Sequence, residues 1–366
     1  MEDISNLKND YSEDFWESIS NLDNLTINEV IKIIEMNSIK KVPMPETILL
    51  KSIQELDKPK YSSQVKYSVG KKHLLKDRIS NGDFFIAESP DLPYLRSDMA
   101  SMENPLFALK AGDTRVIEYF STSKDKTLKT TIRGGAEIGR ATIFDKDVWI
   151  YAISKLMQAK FDGNDITSAV EVSASDFFKA TNRGDGGNQF VLFRDALRRL
   201  SATRIETEIE TGGVHSASGF GLLDEWEVLE ENSSKIPLKV VIQLPQWLYR
   251  SIESNEVLAI SNDYFRLKKP IDRRIYEIAR KHCGRQVSWK ISLDKLHQKT
   301  GATMASKYFR QAILSLIKAN VLPDYRICYD RDSDMVTFHN LDETVLIEAN
   351  KRSLKALIKR NLKTQN

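Results

Sequence analysis

The 366-residue chain is 41% hydrophobic and 29% charged, enough for two or three domains, and its thinly spread 16 Gly and 10 Pro exclude a collagenous or wholly disordered polymer. Two cysteines are too few for a disulfide framework or a zinc ribbon, the start Met1-Glu2-Asp3 is acidic, and no apolar run approaches the ~20 residues that span a bilayer; secretion and membrane insertion are excluded, and a soluble cytoplasmic protein is expected. The net charge of +3 hides an asymmetry: residues 1–60 carry −5, 61–140 +3, 141–260 −6, and 261–366, with 22 Lys+Arg against 11 Asp+Glu, +11, so the last third is where a polyanion would be held.

In chain order, residues 1–88 read as an acidic helical extension. Thr26-Ile-Asn-Glu29 is a capping box opening an Ile/Val-rich helix to about Met36, and Glu46–Leu56 reads as a second helix after Pro43-Met-Pro45. From residue 149 the periodicity is helical: Trp149, Ile153, Leu156, Met157 and Lys160 recur on one face. A short strand, Val170–Val172, follows, then Ser173 or Ser175 as helix N-cap, a short helix, and a turn at Thr181-Asn-Arg183-Gly184. A third helix carries Phe193, Ala196 and Leu197, and two strands, Arg204–Glu210 and Gly221–Leu229, close the set. Lys239–Leu248 reads as a strand running into a helix with Pro245 near its first turn, tying this half to the next.

The same series then repeats. Ile271, Ile275, Ile278 and Ala279 form the stripe of a helix that Gly284 terminates, Trp289–Ile291 is a strand, Ser292 an N-cap, and Thr300-Gly301 a turn. Phe309, Ala312, Ile313, Leu316 and Ile317 mark a third helix, followed by strands Tyr325–Tyr329 and Met335–His339 joined by Asp330-Arg-Asp-Ser-Asp334. Ile150-Tyr151 recurs as Ile275-Tyr276, Val172-Ser173 as Ile291-Ser292 and Phe193-Arg194 as Phe309-Arg310, in one order and at nearly constant spacing. Helix, strand, helix, turn, helix, hairpin is the winged-helix arrangement. The expected class is therefore α+β: two tandem winged-helix domains, at 89–257 and 258–342, with the N-terminal helical extension at 1–88 and a basic helical tail at 343–366.

A winged helix places its third helix in the major groove of duplex DNA. In the second copy that helix carries Ser306, Lys307, Arg310, Gln311 and Lys318 opposite its apolar stripe, and Lys281, Arg285 and Lys290 flank it as phosphate contacts. Arg matches guanine O6 and N7, and Gln matches adenine N6 and N7. The first copy offers Arg194 and Arg198 on its third helix and Arg183 in the preceding turn, but six acidic residues between Glu206 and Glu227 make its wing a poor partner for phosphate, so it takes the secondary role. Catalysis has no support: there is no phosphate-binding Gly-x4-Gly-Lys motif, and the five histidines never fall at metal-binding spacing, so no cofactor or metal is expected.

Several segments resemble the plasmid replication initiator protein A family: Leu95–Phe107, Ala141–Trp149, Ala180–Arg183, Gly219–Trp226, Asp263–Pro270 and, most specifically, Arg273-Arg-Ile-Tyr276-Glu-Ile-Ala-Arg-Lys-His-Cys-Gly-Arg-Gln286. The resemblance implies a bacterial plasmid protein that binds repeated origin sites on double-stranded DNA and recruits the host replication initiator and replicative helicase. It also implies a homodimer that represses its own promoter. The alternative is a winged-helix transcriptional regulator without origin activity.

Overall fold

The computed structural model describes residues 95–342, apart from 124–125, 185, 212–213 and 231–236, together with Leu74, Leu75 and a few positions between 344 and 352. The helices expected at 26–36 and 46–56, and most of the basic tail, lie outside the described residues.

The described chain enters through strand β1 (Arg96–Asp98), a short helix α1 (Met99–Glu103) and a hairpin, β2 (Ile117–Ser123) and β3 (Lys126–Arg133). The first winged helix follows: α2 (Lys146–Phe161), β4 (Ala169–Val172), α3 (Ala174–Ala180) and α4 (Gly187–Ala202). Ser173, not Ser175, caps α3 by accepting from the Asp176 N–H at 3.3 Å. An inserted hairpin comes next, β5 (Arg204–Thr211) and β6 (Val214–Gly221), and joins the earlier hairpin in a four-stranded sheet of order β2-β3-β5-β6. The wing proper is β7 (Glu225–Glu230) and β8 (Pro237–Gln243).

The structure departs from the sequence expectation at two strands. The strand expected at Gly221–Leu229 is interrupted: Leu222 and Leu223 are buried between β6 and β7, and the Leu222 carbonyl accepts from the Trp149 indole at 2.7 Å. The strand at Lys239–Gln243 is no connector but the middle of the wing sheet, paired with β4 on one side and β7 on the other.

Helix α5 (Gln246–Glu253) and strand β9 (Val257–Ala259), which pairs with β1, lead through a 3₁₀ turn at Asn262–Arg266 into the second winged helix. It consists of α6 (Pro270–His282), β10 (Ser288–Ser292), α7 (Leu293–Thr300), α8 (Ser306–Ala319), β11 (Tyr325–Asp330) and β12 (Met335–Asn340). Pro270 occupies the first turn of α6, where a missing N–H costs nothing. Ser292 caps α7, and Gly301 closes it at φ +67°; a Cβ there would lie 2.6 Å from the Pro105 side chain, so glycine is needed twice over.

The repeat is exact in topology. In each copy the strand after the first helix pairs antiparallel with the last strand, which then pairs with the one before it: β4-β8-β7 and β10-β12-β11. Val172 faces Val240 as Ile291 faces Val336. The first copy differs by the β5–β6 insertion between its third helix and its wing.

Each copy has its own apolar core, one around Trp149, Phe177, Phe193 and Leu197, the other around Ile275, Leu296, Phe309 and Phe338. Helix α2 serves both. Trp149 and Ile153 belong to the first core and Ile150 to the second, so the helix is buried on all sides over Lys146–Ser154 rather than along the single stripe its periodicity predicts.

Candidate nucleic-acid interface

Helix α8 buries Phe309, Ile313 and Leu316 and turns the opposite face outward. Ser306, Lys307, Tyr308, Arg310, Gln311 and Lys318 are all exposed. Its first residue follows Ala305, whose side chain cannot cap, whereas α7 is capped by Ser292. The start of α8 therefore has no side-chain cap; Tyr308 and Phe309 donate to the Ala305 carbonyl, and uncapped N–H groups before them are of the kind that bind phosphate oxygens.

Arg310 is positioned by the wing. Its guanidinium lies 3.2 Å from the Asp334 carboxylate, which also accepts from the Tyr329 hydroxyl at 2.5 Å. Tyr329 and Asp334 push the Arg310 guanidinium further into its charged range. At 50% exposure the pair is solvent-screened and weak, so Arg310 can exchange it for a stronger bidentate partner. The Asp330–Asp334 turn holds three aspartates, so this wing tip is acidic and the cationic surface sits on the helix.

The flanking positions divide. Lys290 on β10 and Arg285 after α6 are exposed. Lys281 is half-buried, its ammonium 3.9 Å from the Met99 sulfur. On α4, Arg198 is exposed and pairs with Asp195 at 2.9 Å, while Arg194 is half-buried. Arg183 is corrected: it is an internal residue. Its guanidinium donates to Asp147 at 2.9 Å and to the Phe144 carbonyl at 2.8 Å, lies over the Phe177 ring, and is 16% exposed. The acidic group of the first copy is also redistributed: Glu206, Glu208 and Glu210 sit on β5 of the inserted hairpin, leaving Glu225 and Glu227 on the wing.

Sequence reasoning missed two sets of residues. Tyr308, 60% exposed beside Lys307, adds an aromatic surface to the start of α8; its place between Lys307 and the buried Phe309 was the available signal. The second set is a charged network between the winged helices. Lys146 on α2 donates to Glu277 on α6 at 2.7 Å, with both side chains at or below 2% exposure. Glu277 also accepts from the Tyr264 hydroxyl at 2.8 Å and from Arg274 at 3.2 Å. Asp147 bridges Arg273, at 2.6 Å, and Arg183. Arg274 donates further to the carbonyls of Ser101, Met102, Glu103 and Lys299, and Arg273 to those of Phe265 and Leu267. Burial pulls the Arg274 guanidinium down and pushes the Tyr264 phenol far up, so Tyr264 stays a donor.

Buried charges are tolerated only when every one is engaged, and they impose a single arrangement on the elements that carry them. This set ties α2 to α6 through Lys146–Glu277 and Asp147–Arg273.

The sequence profile of Replication initiator protein A matches residues 96–327. The chain belongs to that family. A "Putative replication protein" of Wigglesworthia glossinidia brevipalpis is 43% identical over 272 residues, covering 73% of this chain and 97% of the relative. Two crystal structures of domains 2 and 3 of RctB are similar at 12% identity: one gives a TM-score of 0.49 over 67% of this chain and 98% of that one, the other 0.48 over 68% and 99%. The segments quoted above for their resemblance to this family lie largely at the junction: Ala141–Trp149 leads into α2, Ala180–Arg183 supplies Arg183, and Arg273–Gln286 spans most of α6. Among the described residues, no helix is long and apolar enough to cross a membrane, and no group of three or more His, Cys, Asp or Glu could hold a metal ion.

Proposed function

We propose that this replication initiator binds double-stranded DNA sequence-specifically, at repeated sites in a plasmid origin, and brings host replication proteins to it without catalysing a reaction itself. The observation that carries the reading is the outward stripe of α8, where Ser306, Lys307, Tyr308, Arg310 and Gln311 stand on the third helix of a winged helix in the most basic third of the chain. Arg310 and Gln311 are the base-reading residues, Lys307 and Lys318 the phosphate contacts. The first winged helix occupies the next major groove ~34 Å along, giving a site of ~20 base pairs.

The test is replication of a circle that carries this gene, its flanking DNA and no other origin. Colonies with the native gene and none with a Lys307→Ala/Arg310→Ala copy support an initiator acting through α8. No replication with either, alongside retained repression of the upstream promoter by the native protein, favours a winged-helix regulator.

A further inference from the structure

We propose that α4 reads thymine methyl groups in the major groove through Val191 and Leu192, so that the first winged helix selects A·T base pairs while the second makes the charge-dependent contacts. The inference rests on the DNA-binding reading above and assigns a base preference to the copy whose third helix carries an exposed apolar pair beside Arg194 and Arg198.

The two third helices align through their buried faces. Phe193, Leu197 and Leu200 of α4 correspond to Phe309, Ile313 and Leu316 of α8, each pair 116 positions apart. On that register Val191 and Leu192 stand where α8 carries Lys307 and Tyr308. They are as open as that comparison requires: Val191 is 57% and Leu192 42% exposed, against 60% for Tyr308. Apolar side chains at water-facing helix positions add nothing to the core, and here they occupy the places of the exposed Lys307 and Tyr308 in the equivalent helix.

The neighbours narrow the occupant. Asn188, one turn earlier, is exposed, and Gln189 half-exposed; both carry the amide that matches adenine N6 and N7. Asp195, one turn later, forms an exposed and solvent-screened pair with Arg198 at 2.9 Å. Phe190 is turned inward against Phe178 at 5.0 Å between centroids and adds little to the exposed surface. The apolar patch is thus two side chains wide, with amides, the half-buried Arg194 and the Asp195–Arg198 pair around it. A protein interface needs a far larger continuous area. A thymine methyl beside an adenine edge offers one apolar knob and one donor–acceptor pair, the combination that this surface complements.

The test uses the full-length protein and duplexes of its native flanking DNA. Each thymine in the protected site is replaced in turn by uracil, which removes only the methyl, and affinity is read by fluorescence anisotropy. Each contacted thymine should cost about fourfold in affinity. In Val191→Ser/Leu192→Ser a subset of those penalties should vanish, while Lys307→Ala weakens binding but keeps them all. Thermal melting of the variant confirms that it is folded. A uracil profile identical in the native protein and the α4 variant overturns the proposal, as does a variant that changes only oligomeric state in size-exclusion chromatography. Failure of the native duplex to bind at low salt would instead overturn the DNA-binding reading itself.

Discussion

Glu277→Gln is the sharpest probe of the junction. The substitution keeps the shape of the side chain but removes one negative charge from between Lys146, 0% exposed, and Arg274, 3% exposed. Neither cation can reach water, and removing one partner from a buried pair costs about 3–5 kcal/mol. For a folded unit of this size each kcal/mol moves the melting temperature by about 2–4 °C, so a fall of about 6–20 °C is expected. Lys146→Met is milder, because Glu277 keeps Arg274 and the Tyr264 hydroxyl; a lost charged hydrogen bond costs about 2–3 kcal/mol. The double variant should be no worse than Glu277→Gln alone, since Arg274 retains the carbonyls of Ser101, Met102 and Lys299. Urea and thermal unfolding of the four proteins measure the coupling. Additivity of the two single changes to within about 0.5 kcal/mol would refute a shared buried network.

Lys307→Ala and Arg310→Ala should each weaken specific DNA binding at least tenfold and Arg194→Ala much less; equal losses in a mobility-shift titration would remove the assigned hierarchy. Binding should fall with salt at a slope of about −0.9 per neutralised phosphate, and Lys307→Ala should flatten that slope by about one unit, so a salt-independent complex contradicts the role of the cationic stripe. Arg183→Ala should lower the melting temperature and leave the sequence preference of a folded sample unchanged, because its guanidinium serves Asp147 and the Phe144 carbonyl. Burial raises the Asp272 carboxyl to about 6, with Lys269 pulling the other way. This lies above the unfolded value of about 3.9, so the ionised group opposes folding above pH 6 and the penalty fades as pH falls towards 4. Asp272→Asn should therefore stabilise the protein by about 3 kcal/mol at pH 7.5 and do nothing at pH 3.5; destabilisation at pH 7.5 would show that the carboxylate is needed.

Much of the architecture was legible because apolar spacing and capping residues repeat. Ser173 and Ser292, the turns at Thr181 and Thr300, and the stripes through Phe193 and Phe309 announce the same unit twice. What escaped was what the repeat does not contain. In β5, Arg-Ile-Glu-Thr-Glu-Ile-Glu-Thr alternates openly, but its partner β6, Val-His-Ser-Ala-Ser-Gly-Phe-Gly, has little apolar signal, so the pattern places the wing one hairpin too early. The junction escaped for a different reason. Lysine, arginine and aspartate are read as surface residues, and α2 carries Lys146 and Asp147 beside Trp149, so nothing local shows that both of its sides are covered. Arg183 was misplaced by the same rule, its charge being the only property the sequence displays.

The placement of the family resemblance follows from these two kinds of surface. A buried network tolerates few exchanges, because every charge in it leans on a partner carried by another element, Asp147 on Arg273 and Lys146 on Glu277. An exposed stripe such as that of α8 is constrained only by what it touches, and a change of Arg310 or Gln311 costs the fold nothing. Three of the segments that carry the family resemblance, Ala141–Trp149, Ala180–Arg183 and Arg273–Gln286, accordingly contribute residues to that network. On the proposed DNA-binding reading, site preference rests on side chains outside that network, those on the exposed faces of α8 and α4. Exchanging Lys307, Tyr308, Arg310 and Gln311, but not the buried Phe309, for the matching residues of a relative should then transfer its site preference without a change in melting temperature. A loss of fold on that exchange would show that reading and joining are not separable in this chain.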